Sequence, residues 1–413
     1  VASAPPGWYT KTAMPGTVKD GGWLTYAAGA DAGTGLIYAS PGNKSPNFFS
    51  YNTVTGAWNT LAPWLPGTEG KLPSKGSVGC ADGNGVIYAT KGNNKQGFYK
   101  YEAATNTWTQ LKDVPLGPSN KKVKGGTSIV WAYQGPVGSP YLLKGYKNEF
   151  WQYDVALDDW KQLPDAPIGG NMKWDKGSWI AYDGAHTIYG AKAKYQEFYA
   201  YDIDAGAWDP TALVGMPTMG SGGSKKQKDG SCAAYANASV FALKGGNTQE
   251  LWQCTFAVDG NAWVEKDTMP KGANKKKVKA GGSLVAAANN LYALKGNKTA
   301  EFWMYVPGAD LYEEPPRHDG VVAGQVASGD CRMAIAPNPL AAGFASLRYS
   351  LPKAGAAELS IYNVTGQQVM AQTLAAGRSG SVDLDLRHLS NGVYLVKFSS
   401  EGFASSQKLV VQR

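Results

Sequence analysis

The chain has 413 residues, 43% hydrophobic, 12% aromatic and only 17% charged, a composition too apolar to be disordered and one that must bury sizeable cores. Its 52 Gly, 23 Pro, 14 Trp and 23 Tyr point to many short, turn-bounded aromatic strands, and no run approaches the roughly 18 uncharged apolar residues of a membrane-spanning helix. The net charge of +8 is composed unevenly: residues 1–310 hold 31 Lys, 24 acids and no Arg, whereas all six Arg follow residue 316.

The N-terminus, VASAPPGW, has neither a basic nor an apolar leader region, so the numbering is expected to start after a removed export signal. The first element is an isolated tryptophan strand, GWYTKTAMP. A four-part unit then begins and recurs, and such internal repetition decides the fold before any other feature. Each unit opens on a glycine-led segment, near Gly21, Gly76, Gly125, Gly177, Gly230 and Gly281. An apolar run follows (LIYAS, VIYATKGN, PYLLKGY, TIYGAKAK, VFALKGGN, LYALKGNK), then an aromatic strand (FFSYN, FYKYE, FWQYD, FYAYD, LWQCT, FWMYV). A tryptophan strand closes the unit at Trp58, Trp108, Trp160, Trp208 and Trp263. Four strands of about five residues with turns between them read as one propeller blade. The last unit stops at FWMYV without its tryptophan strand, so the orphan strand around Trp8 is expected to complete it and leave no open edge. The reading is an all-β, six-bladed propeller over residues 1–310.

The glycine pairs, and a Tyr followed seven residues on by Trp (Tyr51 to Trp58, Tyr101 to Trp108, Tyr153 to Trp160, Tyr201 to Trp208), make this region resemble the kelch propellers. It departs from them where Lys-Gly replaces Gly-Gly, at Lys91, Lys144, Lys244 and Lys295, which marks a divergent kelch-like group whose partners do not transfer.

Periodicity stops near Tyr312, and residues 311–333, with Pro315-Pro316, read as a linker. Residues 334–413 alternate again in LRYSL, AELSIYN, SVDLDL, VYLVKF and QKLVV, enough for a small immunoglobulin-like β-sandwich. Pro337-Asn338-Pro339, Ser360-Ile361-Tyr362-Asn363 with Gly366, Leu389-Ser390-Asn391-Gly392-Val393-Tyr394 and Lys408-Leu409-Val410-Val411 resemble the C-terminal sorting domain of type IX secretion cargo. That resemblance implies export to the surface of a Gram-negative bacterium through the secretion machinery and says nothing of what the cargo does.

In a meandering blade, the lead-in to the first strand and the turn between second and third strands share one face of the disc. Of the 31 Lys before residue 311, 15 fall in lead-in segments and 10 in those turns, 25 in all. The clusters Lys121, Lys122 and Lys124, then Lys225, Lys226 and Lys228, then Lys275, Lys276, Lys277 and Lys279 are the candidate anion- or partner-binding residues, forming an anion-attracting funnel at the channel mouth. Lys144–Glu149, Lys192–Glu197, Lys244–Glu250 and Lys295–Glu301 sit across one hairpin each and suit a structural ladder. The opposite face collects Asp154, Asp158, Asp159, Asp202 and Asp204, a candidate acidic assembly face.

Lysine without arginine argues against specific nucleic-acid recognition, which relies on the guanidinium fork. An anionic surface polysaccharide is the first expected partner, and other copies stacked basic face on acidic face into a filament or array are the second. Catalysis has only fold analogy behind it. Glu149, Glu197, Glu250 and Glu301 recur at equivalent positions as structural residues do, and His186 is the one propeller histidine. No metal and no cofactor is implied. Cys80, Cys232 and Cys254 read as buried free thiols, and Cys331 as unassigned.

Overall fold

The computed structural model describes residues 4–308, apart from 29–34, 66, 68–69, 135–136, 171–172, 258–259 and 288–289. It also describes residues 332–411, apart from 337–339, 341–343, 351–354, 364–366, 377–378, 388 and 401–402. The chain divides into two compact units, Val1–Leu311 and Tyr312–Arg413; of the linker, only 332–333 lie within the described residues.

The strands of the first unit form antiparallel meanders. Sheet A comprises Trp23–Ala28, Gly35–Ser40, Phe49–Asn52 and Trp58–Thr60, and sheet B comprises Val78–Ala81, Val86–Thr90, Phe98–Glu102 and Thr107–Leu111. Sheet C follows with Ser128–Gln134, Val137–Leu143, Phe150–Asp154 and Asp159–Leu163. Sheet D has Trp179–Tyr182, Thr187–Lys192, Glu197–Asp202 and a split outer strand, Ala207–Trp208 then Leu213–Val214. Sheet E holds Cys232–Ala236, Ser239–Leu243, Leu251–Ala257 and Gly260–Lys266. In sheet F, Ser283–Ala287, Asn290–Leu294 and Phe302–Val306 are completed by Gly7–Lys11 from the N-terminus, with Trp8 opposite Tyr305. The first strands of A to F neighbour one another in a closed cycle, F returning to A, which is a propeller.

Aromatic registry holds the sheets together. The Tyr and Trp seven residues apart are direct cross-strand partners, as Tyr51 with Trp58 and Tyr153 with Trp160. Each such pair receives a Phe from the preceding sheet: Phe302 lies 4.9 Å from Tyr51, and Phe98 lies 4.7 Å from Trp160. These rings interlock edge to face in the seams, where each contributes about 0.5–1.5 kcal/mol beyond its burial. The tryptophan indoles add a polar stitch to the preceding sheet, Trp58 donating to Thr12 O at 2.8 Å, Trp108 to Ala62 O at 3.0 Å and Trp8 to Asp267 O at 2.7 Å. Sheet D is the exception. Pro210 cannot donate to a ladder, the outer strand breaks after Trp208, and Trp208 Nε1 finds no acceptor among the described residues.

At the channel, Gly21, Gly76, Gly126, Gly177, Gly230 and Gly281 all have positive φ, and a Cβ on any of them would overlap the backbone that leads into the next sheet. Only glycine lets six first strands approach one axis this closely.

The second unit has a three-stranded sheet (Arg332–Ala336, Phe344–Ser350, Ser379–Asp385) and a four-stranded one (Gln368–Ala376, Gly355–Asn363, Gly392–Ser400, Phe403–Val411). Leu347, Leu359, Ile361, Leu384, Val396, Phe398 and Leu409 fill one core between them. The alternation read in VYLVKF is that of a strand with one buried face, Tyr394, Val396 and Phe398 turning inward.

The pairing of Gly7–Lys11 generates a test. Deleting residues 1–16 removes that strand and the buried Met14. The loss should match that of a large core side chain, about 3–5 kcal/mol, and lower Tm by roughly 5–10 °C. An unchanged thermal transition would refute a closing role for the strand.

Candidate functional site

The lysines at the ends of the second strands are not on the basic face. Lys91, Lys144, Lys192, Lys244 and Lys295 have 0% exposure, which corrects their sequence-based placement. Each side chain runs under the loop that arrives from the preceding sheet. Lys144 Nζ donates to Pro115 O (2.6 Å), Leu116 O (2.7 Å) and Glu149 Oε2 (2.8 Å). Lys295 repeats the pattern with Pro270 O, Lys271 O and Glu301. Lys244 reaches Thr218 O and Glu250, Lys192 reaches Ile168 O and Glu197, and Lys91 reaches Leu65 O. The carboxylates pin the same loops, Glu149 accepting from Ser119 N at 2.7 Å and Glu301 from Asn274 N at 3.0 Å. The Lys–Glu pairs across the hairpins therefore form, as buried staples that hold one sheet to the loop before it.

A backbone collar lies above the staples. The tips between second and third strands carry residues with left-handed φ, among them Asn43, Asn94, Tyr146, Lys194, Asn247 and Lys298. At each tip one amide donates to the lead-in of the next sheet: Lys44 N to Pro73 O, Asn94 N to Val123 O, Tyr146 N to Trp174 O, Lys194 N to Gln227 O, Asn247 N to Val278 O and Lys298 N to Val18 O. The acceptors explain the charge clusters. In Lys121–Lys124 and Lys275–Lys279 the valine is the buried anchor (Val123 0%, Val278 1%), and in Lys225–Lys228 Gln227 takes that place, donating to Gly177 O at 2.8 Å. The flanking lysines are left outside: Lys121, Lys225, Lys226, Lys228, Lys275 and Lys279 are exposed, and Lys122, Lys124, Lys276 and Lys277 are half-buried.

The collar opens into a cavity of about 550 Å³ between sheets B, C and D, lined by Lys75, Asn93, Asn94, Lys121, Lys124, Gly125, Gly145, Tyr146, Lys147, Lys173 and Lys176. Among the described residues, six lysines and no carboxylate line it. Of the ten lysines singled out from the sequence, Lys121 and Lys124 belong to this cavity. Lys225, Lys226 and Lys228 lead into sheet E, and Lys275, Lys276, Lys277 and Lys279 lead into sheet F. Lys75, Lys147, Lys173 and Lys176 were not singled out, since isolated lysines carry no cluster signal. The channel mouth differs from the expected basic funnel, because Asp20 and Asp229 line it together with Lys75 and Lys176. Burial raises the Asp229 carboxyl, Lys176 opposes that shift and Asp20 adds to it. The basic site lies to one side of a mixed-charge mouth.

The acidic face is largely turn chemistry. Asp154 accepts from the amides of Ala156 and Leu157, and Asp202 from those of Asp204 and Ala205, local bonds for which this residue type is favoured in turns. Asp158 accepts from Lys112 N and Tyr153 Oη, the role that Asn106 fills towards Ala62 N and Tyr101 Oη. Asp159 lies 3.6 Å from Lys112 Nζ, and Asp204 lies 2.6 Å from His186. Lys112 thus places a basic group on the candidate acidic face. Cys80, Cys232 and Cys254 are free thiols; burial pushes all three pKa values up, that of Cys254 to about 12. Cys331, Pro337-Asn338-Pro339 and Gly366 fall outside the described residues.

Residues 334–412 match the family model of the secretion system C-terminal sorting domain. The chain is therefore exported by the type IX system to the cell surface of a Gram-negative bacterium, with this domain engaging the machinery. No curated protein matches the sequence. Among solved structures, YjhT is similar at 14% identity over 73% of this chain and 98% of its own, TM-score 0.51, a likeness of fold. A SapL1 lectin in complex with alpha methyl fucoside has 11% identity over 71% and 94%, TM-score 0.45. An auxiliary nutrient binding protein from Bacteroides thetaiotaomicron has 11% identity over 69% of each chain, TM-score 0.46.

Two tests follow from the staples. Glu250→Leu leaves the fully buried Lys244 ammonium without its carboxylate and should cost about 3–5 kcal/mol, whereas Lys244→Met with Glu250→Leu should recover much of that loss; denaturant titration of the unaltered protein, both single variants and the double variant distinguishes additive from coupled effects. The second concerns pH. Burial alone would raise Glu149 and Glu301, but bonds from Lys144 and Ser119, and from Lys295 and Asn274, outweigh it and hold both carboxyls below the ordinary range. Their stabilisation is complete above the unfolded value of about 4.3 and is lost as pH falls through the lower folded values. Stability measured at about pH 6, 4 and 3 should decline, and Glu149→Gln with Glu301→Gln should flatten that decline.

Proposed function

We propose that this surface-delivered propeller is a non-catalytic binding module that holds an anionic glycan in the lysine cavity between sheets B, C and D. The observation that carries the reading is the lining itself: among the described residues, six ammonium groups and no carboxylate surround a space of about 550 Å³, on a collar stitched by backbone bonds. Lysine is a strongly hydrated point charge, suited to reversible, salt-sensitive retention of carboxylate, sulfate or phosphate groups on a polymer. The absence of arginine from residues 1–310 removes the fork that reads bases or clamps phosphates bidentately. Head-to-tail stacking into a filament draws less support, because Asp154, Asp158 and Asp202 each commit a carboxylate oxygen to their own turns. The same proposal takes the disc as a six-bladed, kelch-type propeller and the C-terminal unit as an immunoglobulin-like sandwich. The closed cycle of sheets and the single core between two facing sheets support it.

Replacing Lys75, Lys121, Lys124, Lys147, Lys173 and Lys176 by Gln should leave the thermal transition in place and weaken binding of an acidic polysaccharide by more than about tenfold at low salt. Replacing Lys225, Lys226, Lys228 and Lys275 should have a much smaller effect. Equal losses from both sets would show a diffuse surface charge and no site.

A further inference from the structure

Tyr146 stands apart among the tips of the collar. The corresponding left-handed positions hold Lys44, Asn94, Lys194, Asn247 and Lys298, whereas sheet C places a bulky ring there at φ 62. A large side chain in this region is uncommon and strained unless its surroundings hold it. The backbone is held there by one bond, its amide donating to Trp174 O at 2.8 Å, and burial together with the nearby Asp175 carboxylate raises its hydroxyl pKa. Asp175 is itself buried and fixed by the Lys176 amide at 2.7 Å and by the Lys194 ammonium. The residue is thus fixed at its backbone, close to an anchored carboxylate, while lining the cavity with Lys147 and Asn94.

We infer that Tyr146 is a stacking platform that makes this cavity select the ring of a sugar acid, a hexuronate, over an acyclic polyanion. The inference rests on the lysine-cavity reading above and adds the substrate class to it. A pyranose presents axial C–H groups on one face, an apolar surface that an aromatic ring covers well, while its carboxylate and hydroxyls meet the surrounding ammonium groups and the Asn94 amide. A polyphosphate chain offers the lysines the same charge and the ring nothing.

The test uses the full-length protein with two probes, polygalacturonate and long-chain inorganic polyphosphate. Tyr146→Asn installs the residue that sheets B and E carry at this tip, so the backbone conformation is retained. It should weaken polygalacturonate binding about three- to tenfold and leave polyphosphate binding and the salt dependence of both unchanged. Tyr146→Phe keeps the ring and should lose less. Loss of both probes in equal measure, or of neither, overturns the stacking role. Replacing the six cavity lysines separates the two readings. If that variant loses both probes while Tyr146→Asn spares polygalacturonate, the lysine site stands and the tyrosine inference falls. If the unaltered protein binds neither probe, the lysine-cavity reading falls and takes the inference with it.

Discussion

The ammonium group buried at five of the seams is the contact on which the rest of the first unit depends. Taking a lysine out of water costs several kcal/mol even after relaxation, and a pair is tolerated only when its hydrogen-bonding capacity is met. Lys144 and Lys295 meet it completely, with two carbonyls and a carboxylate for three N–H donors. An aromatic ring adds to the site, Tyr99 at 4.3 Å from Lys91 and Trp252 at 5.2 Å from Lys244. Because each ammonium holds the loop arriving from the preceding sheet, one residue fixes both the seam and the path of the segment that carries the surface lysines.

The sixth seam, from F to A, is made differently. Pro41 stands at the lysine position there, packed by Gly16 with Phe49 and Met14 in an apolar cluster. The sheet on the other side of this seam, F, is the one closed by the N-terminal strand. The loop arriving from the outer strand Gly7–Lys11 is met here by apolar packing against Pro41 and Phe49 in place of an ammonium. Sheet D shows a related adjustment. Its outer strand splits at Pro210, its tryptophan indole loses the usual acceptor, and Trp174 packs 6.2 Å from Trp208, filling the seam with apolar area in place of a polar stitch.

Lysine consequently has two physically separate duties in this protein. The buried set is stoichiometric with carboxylates and carbonyls and has no charge to offer a ligand. The outer set, carried beside the anchors Val123, Gln227 and Val278, faces solvent and keeps its charge available. The cavity gathers six of the outer set because three lead-in segments and tips converge there, whereas at the channel mouth Asp20 and Asp229 offset the lysines beside them. Export to the cell surface presents this uneven field to the medium, where a single exposed lysine contact is worth about 1 kcal/mol or less.

Much of the architecture was legible along the chain. The tryptophan repeat, the Tyr to Trp interval and the unpaired strand around Trp8 are local or periodic features, and the ladders Tyr51–Trp58 and Trp8–Tyr305 follow from strand periodicity and from the need to cap an edge. The sorting tail was readable for the same reason, as ordered motifs on alternating strands. Charge placement was not. A lysine before a glycine reads the same whether its side chain turns outward or back beneath a loop 24 to 29 residues away, as Lys295 and Lys144 do. Likewise, Asp158 reads as surface charge until Tyr153 and Lys112 N are seen bonded to it. The sequence by itself determined strand order and which residues carry charge, since those depend on neighbours along the chain. Only the tertiary structure decided which charges remain free and that Lys75, Tyr146 and Lys176 share one cavity, because burial and convergence depend on neighbours brought together from separate sheets.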